Sequence, residues 1–330
     1  IKSATTGTGA ALERLFITGV SPVTMDDVTS GFNIGTNITN DSWFNDLVGF
    51  SENELREMLE YYKEQGVLQE SIDEIVAMMK PNYDNYCFSE DTLEQCMFNS
   101  DMALYFLKSF VLHHKKPKEI VDPNIRTDFN KLAYLIKLDH GLGENFSVIK
   151  EIAEQGEIIT DIVTHFSALE MTDPSNFKSL LFYFGLLSIK GVDMVGRPIL
   201  HVPNLVVREQ LFNFLIQGYI KHDIFKIDMN KMSALFENMA FRGDWKPLFD
   251  FIANAVREQS RIREYIEGEA HIKGFLLAYL GMYRYYQLYP EYELNKGFAD
   301  FFFKPSLSVP VLPPFTYLLE VKYAKAGASE

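Results

Sequence analysis

Gly297-Phe298-Ala299-Asp300-Phe301-Phe302-Phe303, a proline-rich connector, then Tyr317-Leu318-Leu319-Glu320-Val321-Lys322-Tyr323 decide how the C-terminal part of the chain folds. β-Branched and aromatic residues dominate both flanks, and Pro305, Pro310, Pro313 and Pro314 confine the turn to the segment between them, so the flanks are expected as two strands of a hairpin. Side chains alternate faces along a strand, which puts Glu320 and Lys322 on one face and Val321 and Tyr323 on the other. A hairpin centred on residue 310 sets Asp300 opposite Glu320. A centre half a residue earlier pairs Asp300 with Leu319, and a slip or bulge changes the face. Both registers are open to this sequence.

Two adjacent carboxylates repel unless a proton or a cation lies between them. Hard oxygen donors with room for water favour Mg or Mn, so Asp300 and Glu320 are the candidate metal ligands. Lys322 is then placed to orient a nucleophilic water or to polarise a scissile phosphate. A carboxylate from the preceding helix completes such a set: Glu269 is the candidate, and Glu267, two residues away, projects in another direction. The competing reading is a surface ion pair between Glu320 and Lys322, worth about 0–1 kcal/mol. The apolar flanks, Phe301 to Phe303 and Tyr317 to Leu319, argue instead for a sheet covered on at least one face.

The chain has 330 residues, 47% hydrophobic and 23% charged, which suits folded material with two or three cores. The longest apolar run, Leu180 to Ile189, is too short to span a bilayer, and no signal-peptide pattern opens the sequence. The cytoplasm is the expected location. Cys87 and Cys96 are too few for a disulfide framework or a zinc site and are read as free thiols. Net charge is −14, and all of it lies in residues 1 to 244, with 21 Lys/Arg against 35 Asp/Glu; residues 245 to 330 hold ten of each. Only that last quarter is electrostatically permissive towards a polyanion such as DNA, and the acidic remainder suits a protein partner better. The start at Ile1 and the stop just after a strand suggest a piece of a longer polypeptide. Gly7-Thr8-Gly9 lacks the Gly-Lys-Ser/Thr of a phosphate loop.

Arg14 to Val20 is expected as a buried strand of a parallel sheet. Capping boxes at Ser51 to Glu54 and Ser71 to Glu74 start two helices, the second ending before Pro81, and Ser100 caps a third that runs through about Leu112. The basic cluster from His113 to Lys116 suits a helix C-terminus better than a metal. Helical spacing continues at 128–138, 147–155, 158–169 and 177–187. A small hairpin follows, from Ser188 to Val202. Further helices are read at 205–219, 228–241 and 247–259, then a long one at 266–286. Aromatic stripes such as Phe182-Tyr183-Phe184 are read as core. Arg257 and Arg261, four apart, share a helical face that is read mainly as salt-bridged surface.

Several blocks resemble, in order, the AAA-ATPase-like proteins that end in a PD-(D/E)XK nuclease domain: Arg14-Leu-Phe-Ile-Thr-Gly-Val-Ser-Pro22, Thr29-Ser-Gly-Phe-Asn-Ile34, Gly49-Phe-Ser-Glu-Asn-Glu-Leu-Arg56, Asn82-Tyr-Asp-Asn-Tyr-Cys-Phe88, Met97-Phe-Asn-Ser100 and Phe177-Lys-Ser-Leu-Leu-Phe-Tyr-Phe-Gly185. The resemblance implies an α+β, mainly helical chain in three parts. These are the tail of an α/β ATPase domain at 1–48, a helical middle at 49–243 and a nuclease-like domain at 244–330. It implies a nuclease motif on Asp300, Glu320 and Lys322, with Glu269 on the helix shortly before Lys273-Gly274-Phe275. It also implies a sensor-like Thr18, acting on ATP only in an intact ATPase domain. The phosphate loop of that family is missing here, so ATP hydrolysis is not expected from this chain. Two functions follow. One is metal-dependent phosphodiester hydrolysis, lost on replacing Asp300 or Lys322 with alanine while the fold persists. The other is a nucleotide-regulated interaction module on an inactive nuclease-like scaffold.

Overall fold

The computed structural model describes residues 16, 18, 19, 36–117, 121–122, 143–164, 170–171, 173–222, 225–259, 269–295, 297–306, 309 and 311–322, with the backbone alone at 269–271 and 291. The first helix, α1 (Glu52–Glu64), starts at the expected capping box: the Ser51 hydroxyl accepts the Glu54 N–H, and the Glu54 carboxylate accepts the Ser51 N–H at 2.8 Å. The second box opens α2 (Ile72–Tyr83), which runs through Pro81 instead of ending before it. The proline falls in the last turn, where it removes one backbone bond, and the Asn82 amide donates to the Met78 carbonyl at 2.8 Å. Helix α3 (Ser100–His113) is capped by Asn99, not Ser100, because Asn99 Oδ1 accepts the Met102 N–H.

Helix α4 (Glu144–Gln155) is closed by Gly156 at φ +77°, and the chain then becomes a strand, β1 (Glu157–Ile159), where helical spacing predicts a helix over 158–169. Tertiary pairing overrides the local pattern: after α5 (Pro174–Tyr183), the hairpin β2 (Ser188–Val192) and β3 (Pro198–His201) offers β1 an antiparallel neighbour, giving the order β1-β3-β2. Next come α6 (Leu205–Lys221), α7 (Met229–Arg242) and α8 (Lys246–Glu258), capped by Asn204 and Asp228 at the first two. Helix α9 (Glu269–Gly281) ends at Gly281, before the predicted end at 286. The chain turns out of it into β4 (Tyr286–Leu294), β5 (Gly297–Pro305) and β6 (Tyr317–Leu319), an antiparallel sheet in the order β4-β5-β6. Pro290, Glu291 and Glu293 hid β4 from the sequence pattern. They are tolerated because β4 is an edge strand, where a proline need not donate to a ladder. The chain is thus α+β and mainly helical.

A smaller core joins α1, α2 and α3 through Leu55, Leu59, Ile75, Met79 and Phe106. A larger one runs from Phe146 to Val321 and passes residue 244 without a break. At its centre α4, α6 and α9 pack on one another. Close approach there depends on glycine: a β-carbon on Gly281 would lie 2.3 Å from the Phe212 ring. Helix α6 reaches both cores, with Val206 in the smaller and Val207 and Leu211 in the larger.

The predicted buried strand at 14–20 is not found at its described positions. Phe16, Thr18 and Gly19 lie in no strand and are exposed, Phe16 by 63%. A lone buried strand needs ladder partners, and none of the described strands pairs with this segment. The helix predicted at 128–138 lies outside the described residues. Cys87 and Cys96 are free thiols. Among the described residues no helix is long and apolar enough to cross a membrane.

Candidate active site

The register left open by the sequence is settled by the β5–β6 ladder, in which Phe301, Phe302 and Phe303 face Leu319, Leu318 and Tyr317. This is the arrangement centred on residue 310. The ladder ends at Leu319, and one further step of the same register sets Asp300 opposite Glu320. Ala299, Phe301, Phe303 and Val321 are buried, while Leu318, Glu320 and Lys322 are exposed. Alternation along β5 puts Asp300 on the face opposite that of Phe301 and Phe303, while Glu320, Val321 and Lys322 follow the last ladder pair and lie in no strand.

Asp300 is only 7% exposed and is held at both oxygens. Oδ1 pairs with Lys273 Nζ of α9 at 2.5 Å, and Oδ2 accepts the Val321 N–H at 2.5 Å. The second bond takes over where the backbone ladder stops and keeps the chain past Leu319 aligned with β5. Burial pushes the Asp300 carboxyl up. Lys273, the Val321 N–H and the more distant Lys322 charge outweigh it and hold the group below the usual carboxylate range. Asp300 is thus a structural tie as well as a site candidate: Asp300→Ala removes both the Lys273 pair and the acceptor of the Val321 N–H, so that variant does not separate chemistry from stability.

Glu320 and Lys322 pair with each other at the surface, their side chains 51% and 76% exposed. Glu269 opens α9 four residues before Lys273, and its side chain lies outside the described residues, as does all of Glu267. Thr18 is exposed on irregular backbone. Helix α8 ends at Glu258, with Arg257 exposed in its last turn; Arg261 lies outside the described residues. Lys273 is the residue that sequence reasoning left without a role. Its signal was there: i, i+4 spacing puts positions 269 and 273 on one face of the helix, so the two read as a pair.

Among the described residues no group of three His, Cys, Asp or Glu side chains converges as a metal site. The donor chemistry nonetheless fits a hard divalent cation: Asp300 at the end of the β5–β6 ladder and Glu320 just past it are both carboxylates, each already drawn to a cationic side chain.

Residues 267–330 match the family model of the PD-(D/E)XK nuclease superfamily. The match begins just before α9 and runs through the sheet that carries Asp300, Glu320 and Lys322. It does not extend to the segment read as an ATPase tail. No curated protein and no solved structure matches this chain.

Proposed function

We propose that the C-terminal segment is a metal-dependent phosphodiesterase of the nuclease type, with Asp300 and Glu320 as ligands of Mg or Mn, Lys322 at the reacting phosphate or water, and Glu269 assisting. The observation that carries this reading is the β5–β6 register, which brings an acid of β5 to the level of the Glu-x-Lys that follows β6, inside the segment matching a nuclease superfamily. A divalent cation held there supplies charge neutralisation and a more acidic bound water. The chain's own residues do the rest. Asp300 is fixed by Val321 and positioned against α9, and Lys322, exposed and paired with Glu320, presents its ammonium beside that ligand, where a remaining N–H can meet a phosphate oxygen. Position 269 stands one helical turn before Lys273 on the face that meets Asp300, which supports Glu269 over Glu267 as the further carboxylate.

DNA is the substrate proposed, because residues 245–330 are charge-balanced where the rest is acidic. The three-part division at 48 and 243, coupling to an ATPase domain in which Thr18 would read ATP, and a cytoplasmic location belong to the same proposal. The first two rest on the sequence blocks, and the location on the sequence's short apolar runs and its want of a signal-peptide pattern. A second reading has its own observation: each carboxylate is held by a lysine, Asp300 by Lys273 and Glu320 by Lys322, as a retired scaffold serving protein contacts would show. Metal titration separates the two. Isothermal titration with Mn, compared between the natural chain and Glu320→Gln, gives saturable binding that the substitution weakens if the site is live, and no saturable binding in either if it is a scaffold.

A further inference from the structure

Helix α6, strand β4 and the end of α2 enclose a cavity of about 40 Å³, room for a few waters or one small ion. It lies at the seam of the two cores: Asn82 comes from α2 of the smaller one, and Arg208, Glu209, Arg284, Gln287 and Ser306 line the rest of its polar wall. Glu209 is fully answered, since Arg284 grips both its oxygens at 3.0 and 3.1 Å. Arg208 is not matched in this way. Its Nη1 donates to the Leu288 carbonyl on the outer edge of β4 at 3.2 Å, and among the described residues no carboxylate lies within ion-pair distance of its guanidinium. Two cations and one anion line the cavity, so its wall is net positive in a chain of net charge −14.

A guanidinium has five N–H donors, and a neutral carbonyl uses one. Burying such a charge without a counter-ion is costly, and an oxyanion in the fork geometry offsets that cost with paired, charge-assisted bonds. Burial pulls the Arg208 pKa down, in keeping with a charge not compensated by its surroundings. The wall also includes Leu205 and Val206, in the first turn of α6, where the helix dipole favours negative charge. Nothing in the metal-site proposal uses these residues.

We propose that this cavity is a binding site for a phosphate-type oxyanion, with Arg208 as its principal ligand and Arg284 and Gln287 as supports. The cavity takes the phosphate group alone, either free or as the end of a nucleotide whose sugar and base stay outside it, and both sources are covered by one experiment. Inorganic phosphate and AMP are titrated into the full chain in chelator at constant ionic strength and followed by calorimetry, for the natural chain, Arg208→Gln and Arg208→Lys. The expected result is saturable binding that Arg208→Gln weakens about tenfold or more and Arg208→Lys weakens less, as the loss of one charged hydrogen-bonding partner predicts. AMP binding more tightly than phosphate identifies a nucleotide site; equal affinity identifies a free-phosphate site. If Arg208 merely covers the β4 edge, Arg208→Gln lowers thermal stability while the chain shows no saturable phosphate heat, and the proposal fails. Should Arg208→Gln not fold, Arg208→Lys decides: unchanged phosphate affinity overturns the assignment to Arg208.

Discussion

Replacing Asp300 with asparagine keeps the shape and an acceptor for the Val321 N–H but removes the charge that Lys273 answers. The loss is expected to be about 1–3 kcal/mol at neutral pH, the scale for a hydrogen bond to a charged group that loses its charge. Because the folded-state pKa of Asp300 is held below its unfolded value, its contribution is full above about pH 4 and fades as pH falls through the lowered value. Urea denaturation in chelator should therefore show Asp300→Asn weaker than the natural chain at pH 7 and nearly equal to it in strong acid. A gap that persists unchanged in acid contradicts the ion-pair account. His201 acts in the same direction over a higher pH range. Burial, with the Lys190 charge, lowers it to about 4 from an ordinary 6.5. The unfolded chain thus takes up a proton between those values that the folded chain refuses, and stability falls as pH drops from 6.5 towards 4. His201→Gln is expected to remove that part of the acid loss, on the order of 2 kcal/mol, as read from denaturation midpoints at pH 7 and 4.5.

At the scale of elements, packing of α6 against α9 rests on Gly281, and Gly281→Ala forces a β-carbon into the buried Phe212 ring. A cost of about 1–3 kcal/mol is expected by urea denaturation, with Gly191→Ala, where nothing stands near the added carbon, within about 0.5 kcal/mol of the natural chain. Equal effects of the two would contradict the close approach. Elements announced by side-chain chemistry were legible in the sequence: the boxes at Ser51 and Ser71 and the aromatic strand β5. Elements made by partners were not. β1 is a strand because β3 pairs with it, and β4 carries a proline because it lies on an edge. The site was legible as residue types on one face, while its register and the Lys273 contact depended on a ladder and a helix placement that no local pattern encodes.

Over the whole molecule, charge and core follow different lines. The negative excess stops near residue 244, whereas the larger core crosses that point and binds α4 and α6 to the C-terminal sheet. The segment that matches the nuclease superfamily is thereby built into a helical body that carries the acidic excess, while it is itself charge-balanced. The proposed phosphodiesterase is tested most directly at Lys322. Lys322 is exposed and outside both cores, so Lys322→Ala leaves the fold intact and isolates chemistry from stability. The most direct measurement is cleavage of linear duplex DNA by the full chain with Mn, beside Lys322→Ala and a chelator control. The account predicts metal-dependent cleavage by the natural chain, reduced at least about a hundredfold in Lys322→Ala, the scale for losing one charge-stabilising donor. No cleavage, or equal cleavage by the variant, contradicts it.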